Sequence, residues 1–160
     1  MAESISVTAS ANKAEIYQQL VPQIKALIEP EKDIVANLAN IAAVLKYTFN
    51  FFWVGFYIYD GSELVLNAFQ GPVACTRISL GKGVCGQAFQ KNETIIVPNV
   101  KKFLGHIACS AETKSEIVLP IEVNGKVLAV LDVDSEFLNH FDETDKIYLN
   151  KIIQLINPKW

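Results

Sequence analysis

From Asn12 onward, apolar residues recur at helical spacing. Ile16, Leu20, Ile24, Leu27 and Ile28 share one stripe, with Pro22 inside it predicting a kink or break near Val21. A second helix is expected after Glu29-Pro30, burying Ile34, Leu38, Ile41, Ala42 and Leu45. The period then falls to two. In Phe52–Tyr59 the even positions are wholly apolar, while the odd ones carry Trp53, Gly55, Tyr57 and Tyr59. One face of this strand is dry; the other bears rings with polar tips, which suits the wall of a binding site. On the residues alone, two packed aromatics with satisfied donors explain Trp53 and Tyr57 better. Further strands are expected over 63–69, 74–79, 94–97, 116–122 and 126–134, with a short helix over 84–90 and a long connection over 99–110. A closing helix over 143–156 is capped by Asp142 or Thr144 and buries Ile147, Leu149, Ile152, Ile153 and Ile156. Residues 1–11 are small and polar and read as a flexible arm before a single domain over 12–160. The order of elements predicts an α+β fold: about six mainly antiparallel strands, terminal helices packed on one face, and a ligand pocket on the other.

The last hairpin carries a register argument. Ile117, Leu119, Ile121, Val127, Ala129, Leu131 and Val133 all hold odd numbers. They share the helix-covered face only if paired residue numbers sum to an even value. A two-residue turn at Asn124-Gly125 pairs Val123 with Lys126 and breaks that rule. A bulged three-residue loop, pairing Glu122 with Lys126, keeps it, and Gly125 suits its left-handed position. The expected register sets Glu116 opposite Asp132, with Asp134 two residues along on the same face. Opposed like charges destabilise a sheet. Crowding predicts a raised pKa for at least one of the three, giving a group that holds a proton near neutrality or a cluster that awaits an ammonium or metal ion. A solvated edge with ordinary acids is the alternative.

Half of the 160 residues are apolar, 51%, which supports a real core and excludes a disordered chain. Fourteen basic residues against seventeen acidic give a net charge of −3, so there is no surplus to neutralise nucleic acid. The longest apolar run, Phe51–Tyr59, has nine residues, against roughly 20 for a membrane span. Met1-Ala2-Glu3-Ser4 lacks the pattern of a signal peptide, and the chain is expected in the cytoplasm.

Three cysteines, an odd number, exclude a closed disulfide framework. Cys75 is expected on a strand. Cys85 opens a short helix, whose free N–H groups favour thiolate. Cys109 lies in the long connection, where it can be exposed and move, and is the best nucleophile. All three can also be plain buried hydrophobes. Their spacings of ten and twenty-four, with only His106 and His140 beside them, give little support for zinc; no metal or cofactor is expected. A nucleophilic thiol and a proton donor without a metal suit reduction of a sulfoxide. The thiolate attacks sulfur, an acid protonates the departing oxygen, and a second cysteine condenses with the resulting sulfenic acid. An external dithiol then resets the disulfide.

Phe52-Trp53-Val54-Gly55-Phe56-Tyr57, Gly71-Pro72-Val73-Ala74-Cys75, Gly83-Val84-Cys85-Gly86, His106-Ile107-Ala108-Cys109-Ser110-Ala111, Ser115-Glu116-Ile117-Val118 and Leu131-Asp132-Val133-Asp134-Ser135 together resemble the free methionine-(R)-sulfoxide reductases, GAF-domain enzymes of the cytosol. The resemblance covers about residues 12–156. It implies Cys109 as catalytic nucleophile and Cys85 and Cys75 as resolving candidates, in an order it leaves open. It implies Glu116, Asp132 and Asp134 as the seat of the substrate ammonium and source of the proton, and Trp53 and Tyr57 as the pocket for the methyl-sulfur end. Free methionine-(R)-sulfoxide is the implied substrate, thioredoxin the reductant, and a homodimer a possible assembly. A GAF sensor for a nucleotide or tetrapyrrole, and a thiol oxidant sensor without a substrate, are the alternatives. The first conflicts with an acidic pocket, and the second leaves the acids unexplained.

Overall fold

The computed structural model describes residues 4–107 and 109–160. Residues 1–3 of the expected arm, and Ala108 within the His106–Ala111 segment, lie outside the described residues. Residues 4–11 run along the first helix: Ser6 N–H donates to Gln23 Oε1, Thr8 N–H to Gln19 Oε1, and Ile5 and Val7 pack on the core.

Helix α1, Lys13–Ile28, starts from a reciprocal cap between Asn12 and Glu15 and continues unbroken through Pro22. An interior proline costs about 3 kcal/mol. Tyr17 and Leu20 before it and Ile24 and Ile28 after it are all buried, and each burial contributes roughly 1.5–3 kcal/mol, so packing on both sides outweighs the lost hydrogen bond. Helix α2, Ile34–Phe49, is capped by Asp33, which accepts from Ala36 N–H, and ends on Asn50 in the left-handed region.

The sheet has six antiparallel strands: β1 Trp53–Tyr59, β2 Leu64–Gln70, β3 Arg77–Ile78, β4 Ile95–Val97, β5 Ser115–Val123 and β6 Lys126–Ser135, in the order β3-β2-β1-β6-β5-β4. Helix α3, Gly83–Lys91, lies between β3 and β4 in sequence, and α4, Glu143–Ile156, closes the chain. The alternation sorts the core into two layers. Val54, Phe56, Ile117, Leu119, Ile121, Ala129, Leu131 and Val133 meet α1, α2 and α4 on one face, while Trp53, Tyr57, Leu64, Val118 and Val130 meet Val84, Cys85 and Ala88 of α3 on the other. No helix among the described residues is long and apolar enough to cross a membrane.

Beyond the break expected at Pro22, three expectations need correction. The strand expected over 74–79 shrinks to Arg77–Ile78, and Cys75 sits in the loop before it, where Gly71-Pro72 has turned the chain off the sheet. Ile147 is 51% exposed. Its place in the stripe goes to Asp145, fully buried, which accepts from the Tyr17 hydroxyl at 2.9 Å and pairs with Lys13 Nζ at 2.6 Å. The hairpin turn is the two-residue one: Asn124 and Gly125 both have positive φ, 51° and 78°, and Val123 pairs with Lys126. A bulge restores the even rule, because Ile121 faces Ala129 while Glu122 faces Val127, which leaves Leu128 as the extra residue. Glu116 therefore opposes Asp134, not Asp132.

Candidate active site

The corrected register lays the acids out in rows across the sheet, on the face away from α1, α2 and α4. Trp53, Asp134 and Glu116 stand side by side on β1, β6 and β5; one row along stand Gly55, Asp132 and Val118. The bulge moves Glu116 by one pair, but the side-chain period of two keeps all three carboxylates on one face. They line a cavity of about 40 Å³ together with Trp53, Tyr57, Cys85, His106 and Cys109, so the sulfur of Cys109 and the acids share one hollow.

Burial sets the electrostatics. Glu116 and Asp132 are 6% and 7% exposed. Burial pushes the Glu116 carboxyl well above its usual range, and the neighbouring Asp134 charge adds to it. Burial and then Glu116 do the same to Asp132, and burial and then Asp132 to Asp134. The Thr113 side chain beside Asp134 draws it partly back. His106 Nε2 stands 3.6 Å from Glu116 Oε2, and burial holds that imidazole below its usual value. The expected helix-terminus effect on Cys85 is overridden: its thiol is pushed up, by burial and by Asp132 and Glu116 facing it. At this position the acids and the dry surroundings outweigh the partial positive charge of the α3 N-terminus.

Cys75 and Cys109 form a disulfide with Cα atoms 5.5 Å apart, while Cys85 keeps a free, buried thiol. Two aromatic tips hold the loop that brings Cys75 to its partner. Trp53 Nε1–H donates to Pro72 O at 3.0 Å, and the Tyr57 hydroxyl donates to Cys75 O at 3.0 Å. Both donors are thus satisfied, as the plain packing reading expects, and both rings also line the cavity. Two glycines make room for the indole. A Cβ on Gly55 would strike the Trp53 ring and come within 2.6 Å of Phe69 Cβ, and one on Gly71, at φ +141°, would lie 2.5 Å from Trp53 Cδ1. On the other wall Ile107 sits over Gly83 at the start of α3, and both line the cavity with Cys109.

Seven of the eight site residues read from the sequence border one cavity; Cys75 does not line it and is joined to it through its bridge to Cys109. Reasoning from the sequence missed Thr113, Ile107 and the catalytic-side place of His106. It also passed over Gly55, although a glycine inside an aromatic strand is itself a sign of close approach.

Comparison with known proteins fits this geometry. The sequence profile of the GAF domain matches residues 33–157. GAF domain-containing protein A of Dictyostelium discoideum is 55% identical over 158 residues, spanning 98% of this chain and 99% of that one. The free methionine-R-sulfoxide reductase of Saccharomyces cerevisiae is 43% identical over 165 residues, spanning 98% of this chain and 92% of its own. Among solved structures, the free methionine-R-sulfoxide reductase from Neisseria meningitidis in complex with its substrate superposes with a TM-score of 0.96 at 48% identity, covering 99% of this chain and 95% of that one. The chain belongs to the GAF-domain family and, within it, to the free methionine-R-sulfoxide reductases.

Proposed function

We propose that the protein reduces free L-methionine-(R)-sulfoxide to methionine, with Cys109 as nucleophile. The observation that carries this reading is the Cys75–Cys109 bridge beside a cavity lined by the buried Glu116 and Asp132 and the half-buried Asp134. In the reduced enzyme, the Cys109 sulfur attacks the sulfoxide sulfur. The substrate oxygen passes to Cys109 as sulfenic acid and methionine leaves. A proton from the carboxyl cluster assists the departing oxygen, and the raised pKa values of Glu116, Asp132 and Asp134 suit groups that carry one. The Cys75 thiol then displaces water from the sulfenic acid, which forms the disulfide seen here. Cys85, with its thiol facing Asp132 and Glu116, is the second resolving candidate.

The same acids seat the substrate ammonium, and Trp53 and Tyr57 hold the methyl-sulfur end. A methionine inside a peptide has no ammonium to offer them, which restricts the substrate to the free amino acid. The reading includes thioredoxin as the dithiol that reopens the bridge, in the cytoplasm, where such reductants keep thiols reduced. It also includes pairing of two copies; sedimentation at one 17.7 kDa species across concentrations would exclude the dimer. The central test is Cys109→Ser, assayed for methionine release from each sulfoxide epimer with dithiol present. Loss of turnover on the R epimer is expected, and retained turnover would overturn the nucleophile assignment.

A further inference from the structure

Weighed by spacing among cysteines and histidines, zinc had little to hold it. The fold assembles a different donor set. Cys85 Sγ, a Glu116 carboxylate oxygen and an Asp132 carboxylate oxygen all lie within 4.8 Å of one another, and all three residues are buried. Tetrahedral zinc with one sulfur and two oxygen ligands needs donor separations of roughly 3.3–3.5 Å. Side-chain rotation of about 1 Å therefore closes the set. His106 Nε2 lies 3.6 Å from Glu116 Oε2 and borders the same cavity, outside the set of three donors.

Two further observations point to a cationic occupant. Asp132 Oδ1 is buried with no hydrogen-bond partner of its own, in a residue 7% exposed whose side-chain neighbours are Cys85 and Glu116. Among the described residues, neither a lysine nor an arginine pairs with Glu116, Asp132 or Asp134. A buried carboxylate oxygen without a donor is costly to leave so. A mixed sulfur and oxygen set selects a borderline-soft divalent ion over magnesium or calcium, which take oxygen alone.

We infer that the cavity is a binding site for a zinc-class divalent cation, held by Cys85, Glu116 and Asp132, and that this ion excludes the substrate ammonium. On binding, the Cys85 thiol loses its proton to solvent and a metal–sulfur bond forms; no oxidation state changes. Any carboxyl that still holds a proton releases it likewise. The competition rests on the proposed seat of the ammonium, whereas the ion site itself does not.

The test uses the oxidised protein, in which Cys75 and Cys109 are bridged and Cys85 is the single thiol. Titration with cobalt(II), a spectroscopic stand-in for zinc, is expected to raise a thiolate-to-metal charge-transfer band that saturates at one equivalent and is displaced by zinc. Cys85→Ser should abolish the band. Asp132→Asn should keep it but weaken cobalt binding by roughly tenfold or more, which guards against a single variant that fails to fold. No band at millimolar cobalt, or a band that survives Cys85→Ser, overturns the site. In the reduced enzyme, the zinc concentration that halves turnover should rise in proportion to sulfoxide concentration, and inhibition independent of sulfoxide overturns the exclusion. A protein that binds cobalt but reduces no sulfoxide would refute the proposed reaction and leave the ion site standing.

Discussion

Tyr57 contributes a ring to the pocket and a hydroxyl to the backbone of a cysteine, and Tyr57→Phe separates the two. The substitution keeps the ring and removes only the hydrogen bond to Cys75 O, 3.0 Å long and partly buried. A neutral hydrogen bond contributes about 0.5–1.5 kcal/mol net, and stranding a buried carbonyl costs about 1–3 kcal/mol. A loss of about 1–2 kcal/mol lowers the ratio of molecules with Cys75 in reach of Cys109 to those without by a factor of roughly 5 to 30. The sulfenic acid on Cys109 then waits longer for its partner. Rapid-quench measurement in the absence of reductant follows both events in one sample: methionine release reports the attack, and trapping with a cyclic 1,3-dione followed by mass spectrometry reports the sulfenic acid. The expected result is a slower disulfide step and accumulation of the trapped adduct on Cys109. Disulfide formation at the wild-type rate would refute the positioning role. So would methionine release slowed by the same factor as disulfide formation with no adduct, because the hydroxyl would then act on the attack.

Gly55→Ala sets a methyl group against the Trp53 ring and 2.6 Å from Phe69 Cβ, so chemical denaturation should register a loss of about 1–3 kcal/mol. Asp145→Ala leaves the buried Tyr17 hydroxyl without its acceptor, while Lys13 keeps Asp142 and His140 O, and should cost about 1–3 kcal/mol by the same measurement. The folded pKa values of Glu116, Asp132 and Asp134 are raised above their unfolded values of 4.5, 3.8 and 3.8, so the folded state binds more protons above that range. Stability of the unliganded protein should therefore be greatest below it and fall as pH rises through the folded values. Glu116→Gln should flatten that fall in a denaturation series across pH, and an unchanged slope would contradict the burial of its charge.

The alternation of β5 and β6 was legible because a strand turns every second side chain the same way. Once Ile117–Ile121 and Ala129–Val133 face the helices, Glu116, Asp132 and Asp134 have to face away. The turn was misread although Asn124-Gly125 favours the two-residue form, because the compensating bulge at Leu128 has no marker of its own in the sequence. Pro22 and Ile147 were misread for a common reason. Local pattern weighs a residue against its own helix, whereas the outcome was set across helices, by packing on either side of Pro22 and by the Lys13–Tyr17–Asp145 contact.

The acids and the cysteines differ in what each needs from the fold. Any register with the even rule gathers the three carboxylates, so the error of one pair left the site intact. The disulfide has no such protection. Cys75 and Cys85 are equal candidates in the sequence, and the choice depends on where two irregular segments come to rest. Gly71-Pro72 turns Cys75 off the sheet, the polar tips of Trp53 and Tyr57 pin its loop, and Ile107 packs on Gly83 at the start of α3. Cys85, fixed in the first turn of that helix and pointed at Asp132 and Glu116, stays below the bridge as a thiol. Strand pairing thus places the groups that bind and protonate, while aromatic side chains hydrogen-bonded to loop carbonyls place the sulfurs that exchange. A substitution at the aromatic tips should therefore disturb the thiol steps before it disturbs the acids.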